Sequence, residues 1–153
     1  MKQVAVILCA LLISFAAKSQ KVKEKELVIR CIQTLFEGMK SGDSNTVSQT
    51  FHEKARLMTC TFNAQKELIV VETPLKEFLK FIGTPHSAVY DERILNYDIK
   101  IDEGLASVWT PYEFYVDDKL SHSGVNAFQL CKTKTDWKII QIIDTRKVNK
   151  KQK

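Results

Sequence analysis

The chain is short of the motifs that mark enzyme classes. It has no Cys-x-x-Cys, no His-Glu-x-x-His, no glycine-rich phosphate loop and no nucleophile elbow around a serine or cysteine. Its three histidines, His52, His86 and His122, are far apart, so no metal site and no cofactor are expected. Repeats, low-complexity stretches and linkers are missing from residues 24–146, which excludes solenoids and multi-domain arrangements. Long hydrophobic runs are also missing. The one apolar run, residues 4–17, is shorter than the ~20 residues of a membrane-spanning helix, so stable membrane insertion is not expected. Lys2 before this run and Ala17-Lys18-Ser19 after it have the form of an export signal cleaved after Ser19. The expected organisation is a signal peptide at 1–19, one domain at 20–146 and a basic tail at 147–153. The expected location is the periplasm or the extracellular space.

Net charge is +5, from 23 basic and 18 acidic residues, which raises the question of nucleic acid. Leaving out Lys2 and Lys18, and then Lys147, Lys150, Lys151 and Lys153, brings the basic count to 17 against the same 18 acids. The basicity therefore belongs to the ends, and the body has no clustered basic face for a nucleic-acid partner. Of the four cysteines, Cys31, Cys60 and Cys131 follow the signal. Each sits in an apolar, periodic stretch. They read as small buried hydrophobes, with one disulfide plus a free thiol as the alternative.

Leu27, Val28, Cys31, Ile32, Leu35, Phe36 and Met39 recur at three- and four-residue steps and predict an amphipathic helix. Ser41-Gly42-Asp43 ends it, and Asp43 or Ser44 caps a short second helix carrying Val47 and Phe51. A strand is expected over 55–62, a turn over 63–66 and a strand over 67–71. Thr73 as cap, Pro74 as first residue and Gly83-Thr84-Pro85 as stop delimit a third helix, whose dipole Glu72 is placed to support. Strands follow over 94–101, 105–116, 120–132 and 137–146, rich in Val, Ile, Trp, Tyr and Phe. Helices gathered on one face of a bent, mostly antiparallel sheet make an α+β domain. Residues 108–116 and 139–143 are apolar on both faces, so one face lines a core or pocket and the other meets a partner, most simply a second copy.

The order of these elements resembles the nuclear transport factor 2-like superfamily. GTPH at 83–86, DERI at 91–94, VWTPYEFY at 108–115, HSGVNAFQL at 122–130, WKI at 137–139, IDTR at 143–146 and LFEGMKSGD at 35–43 resemble its lumazine-binding-like branch. The resemblance implies a cone in which N-terminal helices pack on a strongly curved, mostly antiparallel sheet. That fold hosts isomerases, dehydratases and plain scaffolds. No catalytic motif of an enzyme in the superfamily matches here residue by residue.

With Asp117-Asp118 as a two-residue turn, Glu113 falls opposite His122 and Trp109 opposite Asn126. Trp109, Glu113, His122, Asn126 and Phe128 then share a face that suits a small planar ligand. The competing reading makes Glu113 and His122 a solvated cross-strand pair. A bulge at Pro111 would bring Tyr112 to the pocket side. Asp144 and Arg146 point the same way on the last strand, either with Asp144 as a buried general base or as a clamped ion pair. Tyr97, Tyr112 and Tyr115 suit a pocket, a core or a dimer face equally, and nothing marks His86 beyond its loop. The candidate ligand-binding residues are thus Trp109, Tyr112, Glu113, His122, Asn126, Asp144 and Arg146. The expected partner is an aromatic or apolar small molecule bound without chemistry. The alternatives are a pocket enzyme using acid–base catalysis and a dimeric interaction scaffold.

Overall fold

The computed structural model describes the backbone of residues 2–148 and the side chains of residues 20–147. The signal expected at 1–19 and, beyond its first residue, the tail expected at 147–153 lie outside the described side chains. Three helices and seven strands follow in the order α1 (Lys2–Ser41), α2 (Ser44–Thr50), β1 (Phe51–Phe62), β2 (Leu68–Thr73), α3 (Leu75–Gly83), β3 (Tyr90–Ile94), β4 (Asp98–Asp102), β5 (Leu105–Val116), β6 (Lys119–Lys132) and β7 (Trp137–Val148). One sheet runs β2-β1-β7-β6-β5-β3, with β4 also paired to β5. Among the described pairings only β1–β7 is parallel, and it joins the first and last strands of the chain side by side.

The apolar stripe of α1 seats the helix on the sheet. Val28, Ile32 and Leu35 are buried against Val108, Phe128, Leu130, Trp137 and Ile139, and each such side chain stabilises the fold by ~1.5–3 kcal/mol. Phe36 meets Phe128 edge-on at 6.1 Å. Glu24, one turn before Val28, ties down the same face, accepting from Lys132 Nζ at 2.6 Å and Trp137 Nε1 at 2.9 Å. Gly42, at φ +72°, lets the chain leave α1, and Asp43 caps α2 by accepting from the Asn45 and Thr46 amides.

Several boundaries differ from expectation. Phe51 opens β1 instead of closing α2, although it stays buried and meets Phe78 at 6.2 Å. Thr73 ends β2, so Pro74 holds the cap position of α3 without a side-chain hydrogen bond. Glu72 does not serve that helix: Arg56 grips its carboxylate with Nε and a terminal nitrogen at 2.9 and 2.8 Å. The strand expected over 94–101 is two strands. Opposite Pro111 the segment 95–97 carries one residue more than β5, and Pro111, with no amide hydrogen, keeps only its carbonyl bond to the Leu95 amide. At the far end β7 continues to Val148, past the expected domain limit.

The β5–β6 hairpin decides which side chains face inward. Asp117 and Asp118 both take positive φ, 49° and 60°, as a two-residue turn requires, and Val116 pairs with Lys119 as expected. Ser121 then enters β6 as an extra residue. Beyond it Phe114 faces His122, Thr110 faces Asn126 and Trp109 faces Ala127. The shared face expected for Trp109, Glu113, His122 and Asn126 does not exist. A one-residue slip turns every side chain of a strand to the opposite side, so Trp109 and Glu113 lie on the outer face. Burial along β5 alternates cleanly from Leu105 to Tyr112, with Trp109 55% exposed and Tyr112 2% exposed. Glu113 accepts from Tyr115 Oη at 2.7 Å, and Arg93 lies 4.0 Å over the Tyr115 ring, all on that outer surface.

Candidate functional site

The inner face of the sheet and the three helices enclose a cavity of about 560 Å³. Its depth comes from the cross-strand rows. Glu92, Phe114 and His122 form one row. Tyr112, Gly124 and Arg146 form the next, and Thr110, Asn126, Asp144 and Thr59 the one after that. Leu35, Phe36 and Met39 of α1 and Phe78, Phe81 and Ile82 of α3 close the helical side.

One wall is aromatic. Phe81 stacks on Tyr90 at 5.7 Å, Tyr90 on Phe114 at 6.0 Å and Phe114 on His122 at 4.8 Å, with interplanar angles of 24–27°. Burial, helped by the Arg146 charge, holds the His122 imidazole below its ordinary pKa and favours the neutral ring. Facing this wall is a polar cluster. Asp144 accepts from Thr59 Oγ1 at 2.5 Å, Arg146 Nε at 3.0 Å and Tyr112 Oη at 3.3 Å. The Tyr112 hydroxyl also reaches the Thr145 carbonyl at 3.0 Å, and burial lifts its pKa well above the ordinary phenol range. It can do so because position 124 is glycine, over which the tyrosine ring lies.

Asn126 Nδ2 donates to Glu92 Oε1 at 2.7 Å. Burial, reinforced by the Asp144 charge, raises the Glu92 carboxyl to about 7, against the hydrogen bond from Asn126 and the pull of Arg146. Of the three carboxyl groups that line the cavity, two stand in unlike surroundings close to Asn126 and Arg146: Asp144 with three donors, Glu92 with one.

Of the seven candidate residues, Tyr112, His122, Asn126, Asp144 and Arg146 line this cavity, while Trp109 and Glu113 do not. Arg146 and Asp144 form the ion pair that one reading of their spacing offered. Tyr97 packs against the core, and His86 lies beside Tyr90, outside the cavity. Sequence reasoning missed Glu92, Thr59 and the aromatic wall. Glu92 stands within the DERI segment, and a strand drawn from residue 90 instead of 94 would have given it a face. The cysteines take no part in the site. Cys31, Cys60 and Cys131 are unpaired, and burial pushes the Cys31 thiol up to about 12, so the disulfide alternative is not realised among the described residues. Among those residues, no group of three or more His, Cys, Asp or Glu is placed to hold a metal, and no helix is long and apolar enough to cross a membrane.

Residues 23–142 match the family described as "Putative lumazine-binding". The chain belongs to that family. Among solved structures, the lumazine-binding-like chain is similar to a protein of Novosphingobium aromaticivorans described as a "Putative Scytalone Dehydratase". That match has 13% identity and a TM-score of 0.68, and covers 86% of this chain and 89% of that one. It is also similar to an NTF2-like protein of Cytophaga hutchinsonii, with 12% identity, a TM-score of 0.66 and coverage of 81% and 98%. An NTF2-like protein with a cystatin-like fold from Novosphingobium aromaticivorans matches at 12% identity, a TM-score of 0.66 and coverage of 88% and 89%. At such identities these likenesses establish the fold, the nuclear transport factor 2-like cone, and nothing more. No curated protein matches the chain.

Proposed function

We propose that this chain is an exported protein that binds a small planar aromatic molecule inside the cone without transforming it. The observation that carries the reading is the cavity of about 560 Å³, with stacked rings on one side and a satisfied polar cluster on the other. Such a volume and lining suit a ligand of two or three fused rings. The family description adds weight to a bicyclic heteroaromatic ligand. Export rests on the apolar run at residues 4–17 and the small residues after it.

The test takes exported material, whose intact mass should begin at Gln20, and titrates it with lumazine, followed by the ligand's own fluorescence. Saturable binding is expected, and His122→Ala is expected to weaken it by about 5- to 150-fold, the loss of one ring contact or hydrogen bond. No saturable binding of lumazine or other bicyclic heteroaromatics would reject the reading. One observation favours acid–base chemistry as a second reading: a carboxyl with a pKa near neutrality that opens on the cavity. Conversion of the bound molecule on incubation, lost in Glu92→Gln, would replace binding by catalysis.

The outer face supports a homodimer within the same proposal. Trp109 stands exposed there, with Ala127, Ile143 and Met58 in its cross-strand row and Val70, 61% exposed, on neighbouring β2. Contiguous apolar surface of this kind is costly to leave in water. Light scattering should report a dimer at micromolar concentration, and Trp109→Glu should shift it to monomer. A monomeric parent protein would refute the proposal.

A further inference from the structure

The cavity offers acceptors on Glu92 and Asn126 that the protein itself does not use. Several of its donors are used within the protein, Thr59, Tyr112 and Arg146 Nε on Asp144 and Asn126 Nδ2 on Glu92, while among the described residues the terminal nitrogens of Arg146 remain free. Two acceptors are left over. Among the described residues no donor reaches Glu92 Oε2 or Asn126 Oδ1, although Asn126 is only 4% exposed and both residues line the cavity. Neither atom is sealed away: among the described residues no buried side-chain polar atom lacks a partner, so both acceptors open on the cavity, where a ligand N–H can take the place of water. The charges lean the same way. Glu92, Asp144 and Glu77 line the cavity, no lysine does, and Arg146 is held by Asp144.

We infer that the ligand presents adjacent N–H donors on an amidine- or aminopyridine-like edge to Glu92 Oε2 and Asn126 Oδ1, with its ring against Phe114 and His122. The inference rests on the binding reading above and names the chemistry of the edge that enters the site. An amidinium meets a carboxylate through short, charge-assisted bonds, whereas a carboxylate ligand at this edge would face the Glu92 and Asn126 oxygens and be left to the Arg146 guanidinium alone. Glu92 shares the cavity with Asp144 and Arg146 of β7, His122 of β6, Tyr112 of β5, Tyr90 of its own strand and Glu77 of α3, and the charges of Asp144 and Arg146 act on it directly. Since the Glu92 carboxyl titrates at about 7, a proton competes with the cation, and preference for it should grow as pH rises.

The test uses three probes of one shape: 2-naphthamidine, 2-naphthamide and 2-naphthoate, titrated calorimetrically into the full exported protein at about pH 6 and about pH 8. The amidine should bind at least about tenfold more tightly than the naphthoate at the higher pH, with the amide between them. That ratio should shrink at the lower pH in the unaltered protein, and in Glu92→Gln it should fall to within about threefold at both. Naphthoate binding as tightly as the amidine would overturn the inference and leave the binding reading standing. An amidine preference undiminished by lower pH would overturn it equally, with no variant needed. Failure of all three probes to bind would overturn the inference alone if lumazine binds, and both readings if it does not.

Discussion

Replacing Gly124 by alanine is expected to cost the fold about 3–5 kcal/mol, the range of the most severe single substitutions. A Cβ there would stand 1.8 Å from the Thr145 carbonyl oxygen and 2.9 Å from the Tyr112 ring. The first neighbour is backbone of β7 and the second a side chain only 2% exposed, so neither yields cheaply. Relief requires β6 to draw away from β7 or Tyr112 to leave its site. The second route gives up the bonds from Tyr112 Oη to the Thr145 carbonyl and to Asp144. Tyr112→Phe separates the two causes. It removes the hydroxyl while keeping the ring, and should cost ~1 kcal/mol and leave the carbonyl to accept from water. Urea unfolding measures both. A Gly124→Ala variant within about 1 kcal/mol of the parent would mean that the strands have slack the packing does not suggest.

Glu92→Gln should remove a pH dependence of stability of about 3 kcal/mol, because the carboxyl moves from 4.5 to about 7 on folding. The folded state holds this proton more tightly than the unfolded chain. The stabilisation is therefore complete below about pH 4.5 and is lost as pH climbs through about 7. Glutamine has no proton to lose, so the variant gains on the parent across that window and by a constant amount above it. Asp43, Asp91 and Glu72, held below their ordinary range by hydrogen bonds and by Lys40, Arg93 and Arg56, run the other way and lose stability at lower pH. The difference between parent and variant isolates Glu92 from them. Denaturation curves at about pH 5 and about pH 8 suffice, and a parent–variant difference that does not change with pH would place the Glu92 titration outside this range.

Much of this protein is written locally. The three- and four-residue spacing from Leu27 to Met39 is enough for α1 and its buried side, since helix period and core contact are the same pattern. Gly42 and Asp43 act through backbone freedom and one carboxylate, both properties of single residues. The extents of β5 and the turn at Asp117-Asp118 follow from β-branched and aromatic runs broken by residues that tolerate positive φ. Asp144 and Arg146, two apart on one strand, are neighbours whatever the rest of the sheet does. Parity is another matter. The extra residue Ser121 carries no local mark, and by shifting the pairing of β6 it sends Trp109 and Glu113 outward while His122 and Asn126 stay inside with Tyr112. Glu92 likewise becomes a site residue only because β3 pairs with β5 from 90 onward and brings it beside Asn126, 34 positions away, where exclusion of water raises its carboxyl. Sequence by itself determined which segments are helix or strand and which of them are apolar. Only the tertiary structure decided which face encloses the cavity, because strand register and burial are set by contacts between residues distant in the chain.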